Sequence, residues 1–552
     1  MATAETRIRP LAGLTRKNAL REVLAGVTLL ALAIPLNIGY SQIAGLPATA
    51  GLYALILPAI VYVLLASSRQ LVVSPDAAAA ALVASSVGGL AIAGSEHYLV
   101  LAMAQALISG VMFLGAAVFR LGAVANFLSK PILVGFVGGL ALGIMVSQIA
   151  KMLGVDTGSS SEFGAKVVAL FTGLSGLSPI SAVMSAASVL LLLIGRRYAP
   201  AVPWALIVLI LATITVALFD LGEGAVAVLG PVDGGLPTLS WPQLDAADWL
   251  ALVPSALALT LVTTAEGLMV ARSYAEKNGQ RSVPDRDLAA IGAANVAAGV
   301  SGGFAVGAST SRTAAMDQAG SRTQLPTLIA AVGTLALVLF GTALLEDIPL
   351  PAIGAVVAVA IIPLLGVRDF RMLWRRDRFE FVIAVVCFLV TLLVGAIHGI
   401  FVALVLALIN AARSASDPAI EVLAPSTGPG GALVDAAPPG TMTAPGVLVI
   451  RISGPLFFGN AADFADTVQD LVQQQSAPVR HVILDLESVT GIDVTAGDSL
   501  DSLRSWLHDH DIELGYSRAS TRLIDRMRSW GLIDDEPIYP TNRAALDAVT
   551  DG

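Results

Sequence analysis

Apolar positions along this chain gather into long runs. They lie near 23–43, 48–66, 98–119, 131–150, 178–195, 202–219, 249–270, 286–304, 323–345, 350–366, 379–397 and 399–412. A helix that crosses a bilayer needs about 20 mostly apolar residues, so these runs predict about twelve full spans. Two shorter Ala-rich stretches, near 76–93 and 310–318, follow breaks rich in Ser, Gly and Pro. Counted as half-spans, they bring the expected total to about fourteen.

The two breaks stand in corresponding places. Ser67–Ser74 and Pro75 open the first short helix, and Gly302–Ser309 opens the second. Seven spans followed by seven spans put the two halves in opposite orientations, because seven is odd. Inverted repeats with paired broken helices are a transporter architecture, with substrate held near the midplane between them. The alternative is that Gly and Ser at the breaks serve close helix packing in lipid.

Loop charge predicts sidedness. Basic residues crowd the N-terminus (Arg7, Arg9, Arg16, Lys17, Arg21), the 271–286 loop (Arg272, Lys277, Arg281, Arg286) and the 367–378 loop (Arg368, Arg371, Arg375, Arg376, Arg378). The 220–248 loop carries Asp220, Glu223, Asp233, Asp245 and Asp248 with no Lys or Arg, and the Glu346–Asp347 loop likewise has none. With fourteen crossings both termini fall in the cytoplasm of a cell inner (plasma) membrane protein.

Composition sharpens this division. The chain is 56% hydrophobic and 13% charged, with a net charge of −9. From Ser414 onward there are 8 Arg and 20 acidic residues, net −12, and the first 413 residues carry +3. We therefore expect a cytoplasmic N-terminal segment at 1–22, a membrane domain at 23–413, a linker at 414–445 and a soluble acidic domain at 446–552. The acidic tail argues against nucleic-acid binding, which needs Lys and Arg to displace counterions. Cys387 is the only cysteine, so no intrachain disulfide forms. The first apolar run begins near Val23 and continues beyond a signal-peptide core, so no cleavable signal is expected.

The breaks carry chemistry. A broken helix exposes backbone N–H groups at its new N-terminus, and its dipole adds about half a positive charge there. Two such ends facing each other make an anion site. One end is Val73-Ser74-Pro75-Asp76, where Pro75 suits a first helical turn. The other is Gly307-Ala308-Ser309-Thr310-Ser311-Arg312, whose hydroxyls and guanidinium can meet an anion. Arg312 alternatively pairs with Asp317 or snorkels to the interface. Glu266 lies in an otherwise apolar span, and an ionisable residue there is a functional candidate because it is costly. It is either a coupling site for a proton or cation, or a partner of an Arg such as Arg312. Asp76 is either a helix cap or a second proton site.

These motifs resemble the sulfate permease (SulP) family of anion transporters. Glu22–Pro35, Tyr40 and Ala44–Tyr53 resemble its first-span signature, and Ser67–Leu71 the run before its third span. Asn126–Pro131 with Val134–Phe136 is similar to its fifth-span entry. Ala265–Gly267, Lys277–Gly279, Ala294-Asn295, Gly302-Gly303, Gly307, Ser311–Thr313 and Ala319–Gln324 resemble its eighth-to-tenth-span block. The resemblance implies a seven-plus-seven inverted repeat with gate and core domains. It also implies an anion site formed by Tyr40, Ser74, Pro75, Asp76, Glu266, Ser309, Ser311 and Arg312. The chain departs from the family pattern at Ile34-Pro35-Leu36, where a Gln usually follows the Pro, and at Asp76, where an apolar residue is usual. The added acid favours proton-linked uptake over passive exchange.

Beyond the linker, Val447–Ser453 and Val482–Leu486 read as strands. Stretches near 460–475, 496–509 and 519–530 read as helices, giving a small α/β domain. Gly454–Asn460, Asp485 and Ile492–Ala496 resemble a STAS domain. By that resemblance Thr495 is a candidate phosphorylation position, with Ala496 in place of the usual Gly. Otherwise Asp493 and Thr495 simply begin a helix. The domain is expected to serve dimerisation, folding or trafficking, and the protein to be a homodimer.

No Gly-x-x-x-x-Gly-Lys loop is present, so nucleotide hydrolysis is not the expected driving force. The histidines show no metal spacing apart from His508-x-His510, and no cofactor or metal is expected. The expected function is non-enzymatic: secondary active transport of a small inorganic or carboxylate anion, sulfate foremost, by proton-coupled symport with alternating access. Sodium-coupled bicarbonate uptake, or an exchanger or channel on the same fold, is the alternative.

Overall fold

A computed structural model describes residues 11, 13–122, 129–156, 162–199, 202–222, 224–416, 418–425, 433–438 and 440–550. Arg7, Arg9, Glu223 and the Asn126–Leu128 half of one motif lie outside the described residues. By mutual contact the chain divides into two units, Met1–Ala407 and Leu408–Gly552.

The first unit is helical. It runs α1 (Ala19–Ile43), α2 (Ala48–Tyr53), α3 (Leu57–Leu65), the short strand β1 (Val73–Ser74), α4 (Ala77–Val87), α5 (Glu96–Val118), α6 (Lys130–Leu153), α7 (Phe163–Gly173), α8 (Pro179–Tyr198) and α9 (Trp204–Phe219). It continues with α10 (Ala246–Lys277), α11 (Pro284–Val300), the short strand β2 (Gly307–Ala308), α12 (Thr310–Gln318), α13 (Leu325–Phe340), α14 (Leu350–Ile361), α15 (Val367–Arg376), α16 (Arg378–Leu393) and α17 (Ala396–Ser416), of which the residues from Leu408 onward are counted with the second unit. Local chemistry sets many of these ends. Proline stands in the opening turn of α3, α6, α8, α11, α13 and α14, where its missing N–H costs nothing. Ser95 caps α5, Asp245 caps α10 and Asp377 caps α16, each accepting a first-turn N–H. Gly154 closes α6 in the left-handed region, at φ 69°.

Among the described residues, seven helical stretches are long and apolar enough to cross a membrane, and five shorter apolar helices accompany them. These helices sort by packing into two groups. In one, α11 lies against α5 and α3, α10 against α5 and α4, and α13 against α1. In the other, α6 lies against α16 and α14, and α8 against α14 and α9. The two short helices at the sequence breaks are present. At 1.5 Å per residue, α4 and α12 are roughly 16 and 13 Å long, about half of the bilayer core. Their origins, not their lengths, carry the functional argument.

The second unit is an α/β domain. Its elements are β3 (Ile420–Pro425), β4 (Leu433–Ala436), β5 (Val447–Ile452), α18 (Ala461–Gln473), β6 (His481–Asp485), α19 (Val494–Asp509), β7 (Glu513–Ser517), α20 (Thr521–Ser529), β8 (Ile538–Tyr539) and α21 (Asn542–Thr550). The sheet order is β4-β3-β5-β6-β7-β8. The β4/β3 and β3/β5 pairs are antiparallel, and β5 through β8 are parallel. The strands and helices expected from the sequence correspond to β5, β6, α18, α19 and α20. The expectation of a linker at 414–445 needs correction. That stretch holds the end of α17 and two strands, β3 and β4. Its average composition hid a short apolar segment, Ile420–Leu423, that pairs with β5 and buries Leu423 completely.

Candidate functional site

The site begins where the two broken helices meet. β1 and β2 pair antiparallel, with Val73 opposite Ala308 and Ser74 opposite Gly307. Ser309 N–H donates to Val72 C=O at 2.9 Å and extends the pairing by one bond. Each strand runs straight into a half-helix. The antiparallel pairing therefore sets the N-termini of α4 and α12 side by side, with their helices leading away from each other. Backbone N–H groups and two positive dipole ends converge on one crossing.

Both helices are capped by residues at the crossing. Asp76 Oδ1 accepts from Ala79 N–H at 2.7 Å, which assigns Asp76 the cap of α4. Ser309 caps α12, with its Oγ accepting from Arg312 N–H at 3.4 Å. The close approach needs a glycine at 307, because a Cβ there would collide with Asp76 Oδ2.

Arg312 lies at the centre, with 1% of its surface exposed. Its Nε donates to Ser309 Oγ at 3.0 Å, and its Nη2 donates to Pro75 C=O. The guanidinium also sits 5.6 Å from the centroid of the Tyr40 ring, a cation–π contact with a buried tyrosine. One arginine thus ties the second broken helix to the first break and to α1. Asp317 does not engage it. Asp317 is held instead by Lys277 at 2.6 Å, Asn278 at 3.1 Å and Arg322 at 3.1 Å. Two donors at the crossing stay unused: Arg312 Nη1 and Ser74 Oγ are buried and have no partner among the described residues. Buried polar groups are normally satisfied, so two such atoms in one place call for an explanation.

Glu266 joins the site from α10. Its Oε1 accepts from Thr310 Oγ at 3.1 Å, in the first turn of α12, and Arg312 is not its partner. Thr310 and Ser311 are exposed on that turn. The structure therefore brings Tyr40, Ser74, Pro75, Asp76, Glu266, Ser309 and Arg312 to one crossing, whereas Ser311 is exposed in the first turn of α12. Thr495 belongs to the second unit, where it is exposed in the first turn of α19. Asp493 caps that helix by accepting Ala496 N–H at 2.9 Å.

Sequence reasoning missed the braces. Asn295 on α11 holds the strand entering the second break, donating to Val306 C=O at 2.9 Å and accepting from Val306 N–H at 3.0 Å. Thr313 Oγ accepts from Val72 N–H at 3.0 Å. Gln324 donates to Ser68 and Leu71 carbonyls at 3.1 and 2.8 Å. Asp287 accepts the backbone N–H groups of both Ser67 and Ser68 at 2.8 Å. Glu22 accepts from Ser321, Arg322 and Thr323 at 2.5–2.9 Å. The matched motifs contained Asn295, Gln324, Glu22 and Thr313. Their signal was a polar residue that must find a partner when buried.

Comparison with known proteins adds independent findings. The sulfate permease family model matches residues 20–387, and the STAS domain model matches 439–545. A probable sulfate transporter of Mycobacterium tuberculosis is 34% identical over 96% of this chain and 94% of its own length. The structure of the murine Solute Carrier 26 family member A9 anion transporter in the inward-facing state superposes with a TM-score of 0.89 at 19% identity, covering 100% of this chain and 96% of that one. The transmembrane domain of a cyanobacterial bicarbonate transporter, BicA, superposes with a TM-score of 0.63 at 21% identity, covering 71% of this chain and 98% of that domain.

Proposed function

The chain belongs to the sulfate permease family, and from that premise we propose that it is a proton-coupled symporter of a small anion, sulfate foremost, working by alternating access. One observation carries the reading. Arg312 Nη1 and Ser74 Oγ are buried donors without partners, set where two half-helix N-termini meet. An anion there completes both donors and both dipole ends at once. Tyr40, Pro75, Ser309 and Ser311 complete its surroundings. Sulfate is supported by the name of the mycobacterial relative.

Coupling falls to Glu266. Its carboxylate reaches the first turn of α12 through Thr310, so its charge state acts on the same helix end that meets the anion. Asp76 is the lesser candidate, because one of its oxygens already caps α4. Protonation of Glu266 removes a negative charge beside the anion, which links proton and anion uptake in one direction. A homodimer in the plasma membrane, with both termini cytoplasmic, completes the proposal, and the loop charges support that sidedness. The STAS domain then faces the cytoplasm, with Thr495 available to a kinase.

Proteoliposome uptake tests this. Labelled sulfate, bicarbonate and fumarate are offered with an inward proton gradient, an inward sodium gradient, or neither. Proton-driven accumulation of sulfate is expected, and Glu266→Gln abolishes accumulation while normal expression persists. Unchanged gradient-driven uptake in that variant removes the coupling role. Sodium-driven bicarbonate accumulation selects the alternative, whose bicarbonate part is supported by the name of BicA. Purely conductive anion current removes symport.

A further inference from the structure

Helix α15 has no part in the anion site, yet it is the most strongly amphipathic helix of the membrane unit. It lies between α14 and α16, both strongly apolar. Arg368, Arg371 and Arg375 are spaced i, i+3 and i+7, which puts them on one face of the helix. All three are exposed, as are Arg376 and Arg378 beyond them. None of these five arginines is in an ion pair among the described residues. Of the acids beside them in sequence, Asp369 pairs with Lys130 at 2.8 Å, Asp377 caps α16, and Glu380 lies in the first turn of α16 without an ion pair to any of the five among the described residues.

The apolar side of α15 is divided. Leu373 is buried, and Phe370 packs edge-on against Phe381 and Phe388 of α16, at 6.3 and 5.8 Å between centroids. This fixes the helix on α16. Val367 and Trp374, also seven residues apart, remain 62% and 53% exposed beside the arginine face. Trp374 is not loose: its ring meets Phe381 at 4.9 Å, and Arg378 lies 5.4 Å from its centroid. An exposed Trp anchored beside unpaired arginines, between two membrane helices, matches the chemistry of the headgroup layer, where aromatic rings and basic side chains gather.

We propose that α15 is a binding surface for anionic phospholipid headgroups, with Arg368, Arg371 and Arg375 on the lipid phosphates and Trp374 and Val367 set into the headgroup–acyl boundary. A basic patch flanking membrane spans attracts anionic lipid by about fivefold per Arg, the equivalent of roughly 1 kcal/mol each. Guanidinium pairs with phosphate in a forked geometry, which favours bound lipid over diffuse attraction. A soluble protein partner is disfavoured because the exposed apolar strip lies at the edge of the arginine face, where acyl chains begin.

The full-length protein is reconstituted in nanodiscs of phosphatidylcholine with about 30 mol% phosphatidylglycerol. Lipid retained after a detergent wash is then counted by mass spectrometry. Wild type retains phosphatidylglycerol over phosphatidylcholine, and high salt weakens the preference. The triple variant Arg368→Gln, Arg371→Gln, Arg375→Gln lowers that preference roughly 100-fold. The matching triple Lys variant keeps the charge but not the fork and holds a preference between those of the wild type and the Gln variant, which separates lost charge from lost folding. Brominated phosphatidylglycerol quenches part of the tryptophan emission, and Trp374→Phe removes that part. Equal retention in the wild type and the Gln variant overturns the proposal. So does a Gln variant that changes oligomeric state or protein association while its lipid preference stays intact.

Discussion

Ser74 and Arg312 separate a ligand site from a merely well-packed one. Removing a buried hydroxyl that has a protein partner destabilises a fold, because the partner is left unpaired. Ser74 Oγ has no partner among the described residues, so Ser74→Ala removes nothing the protein uses on its own. The expected result is an unchanged or slightly higher melting temperature. Anion affinity is expected to fall roughly 10–100-fold, the worth of one hydrogen bond to a charged group, about 1.5–3 kcal/mol. Arg312→Ala behaves differently, since it also takes the side-chain donor from Pro75 C=O and Ser309 Oγ. It should weaken affinity more than Ser309→Ala and lower stability as well. Isothermal titration and a thermal melt on the same detergent samples check both. If Ser74→Ala melts several degrees lower with affinity intact, its hydroxyl is structural and the site must be redrawn.

At the scale of elements, the crossing depends on how closely two strands approach. Gly307 lies opposite Ser74 and beside Asp76, and a methyl group there meets the carboxylate that caps α4. Gly307→Ala is expected to cost about 1–3 kcal/mol as the strands part. It should reduce transport more than Gly143→Ala, because nothing would meet a Cβ at Gly143. Equal uptake by the two variants in proteoliposomes would show that the crossing tolerates separation. Much of this arrangement was legible in the sequence. The Ser-Pro and Gly-Ser breaks, the short Ala-rich helix after Pro75 and the charge on Arg312 could all be read from composition and helix-end chemistry. The pairing of Val73 with Ala308 could not, because no local pattern links residues more than two hundred positions apart. The same distance hid the partner of Arg312: Asp317 is near in sequence, whereas the Pro75 carbonyl is 237 residues away. Local reading also missed β3 and β4, since a strand in a Pro- and Gly-rich stretch is stabilised by its neighbour in the sheet and not by its own composition.

Over the whole molecule, the uneven charge of the sequence corresponds to two bodies with separate cores. The membrane unit buries one large apolar cluster that includes Ile38, Leu82 and Phe304. The second unit buries its own cluster around Leu448, Leu484 and Phe464. Asp485, fully buried there, is held by Arg451 at 2.9 Å and by Asn542 at 2.9 Å, so its charge is satisfied within that unit. Every residue assigned to the anion site lies in the first unit, and every brace of the crossing, from Glu22 to Gln324, lies there too. A chain ending after α17 should therefore bind sulfate in detergent within about threefold of the full-length affinity, since that is under 1 kcal/mol. Residues 418–550 should fold on their own and melt in a single cooperative transition, as expected of a domain with its own core. Titration calorimetry on the truncated chain and circular dichroism on the isolated domain check the two statements separately. A loss of affinity beyond tenfold would mean that the second unit holds the crossing in its binding geometry, and the anion site would then have to be sought in both units together.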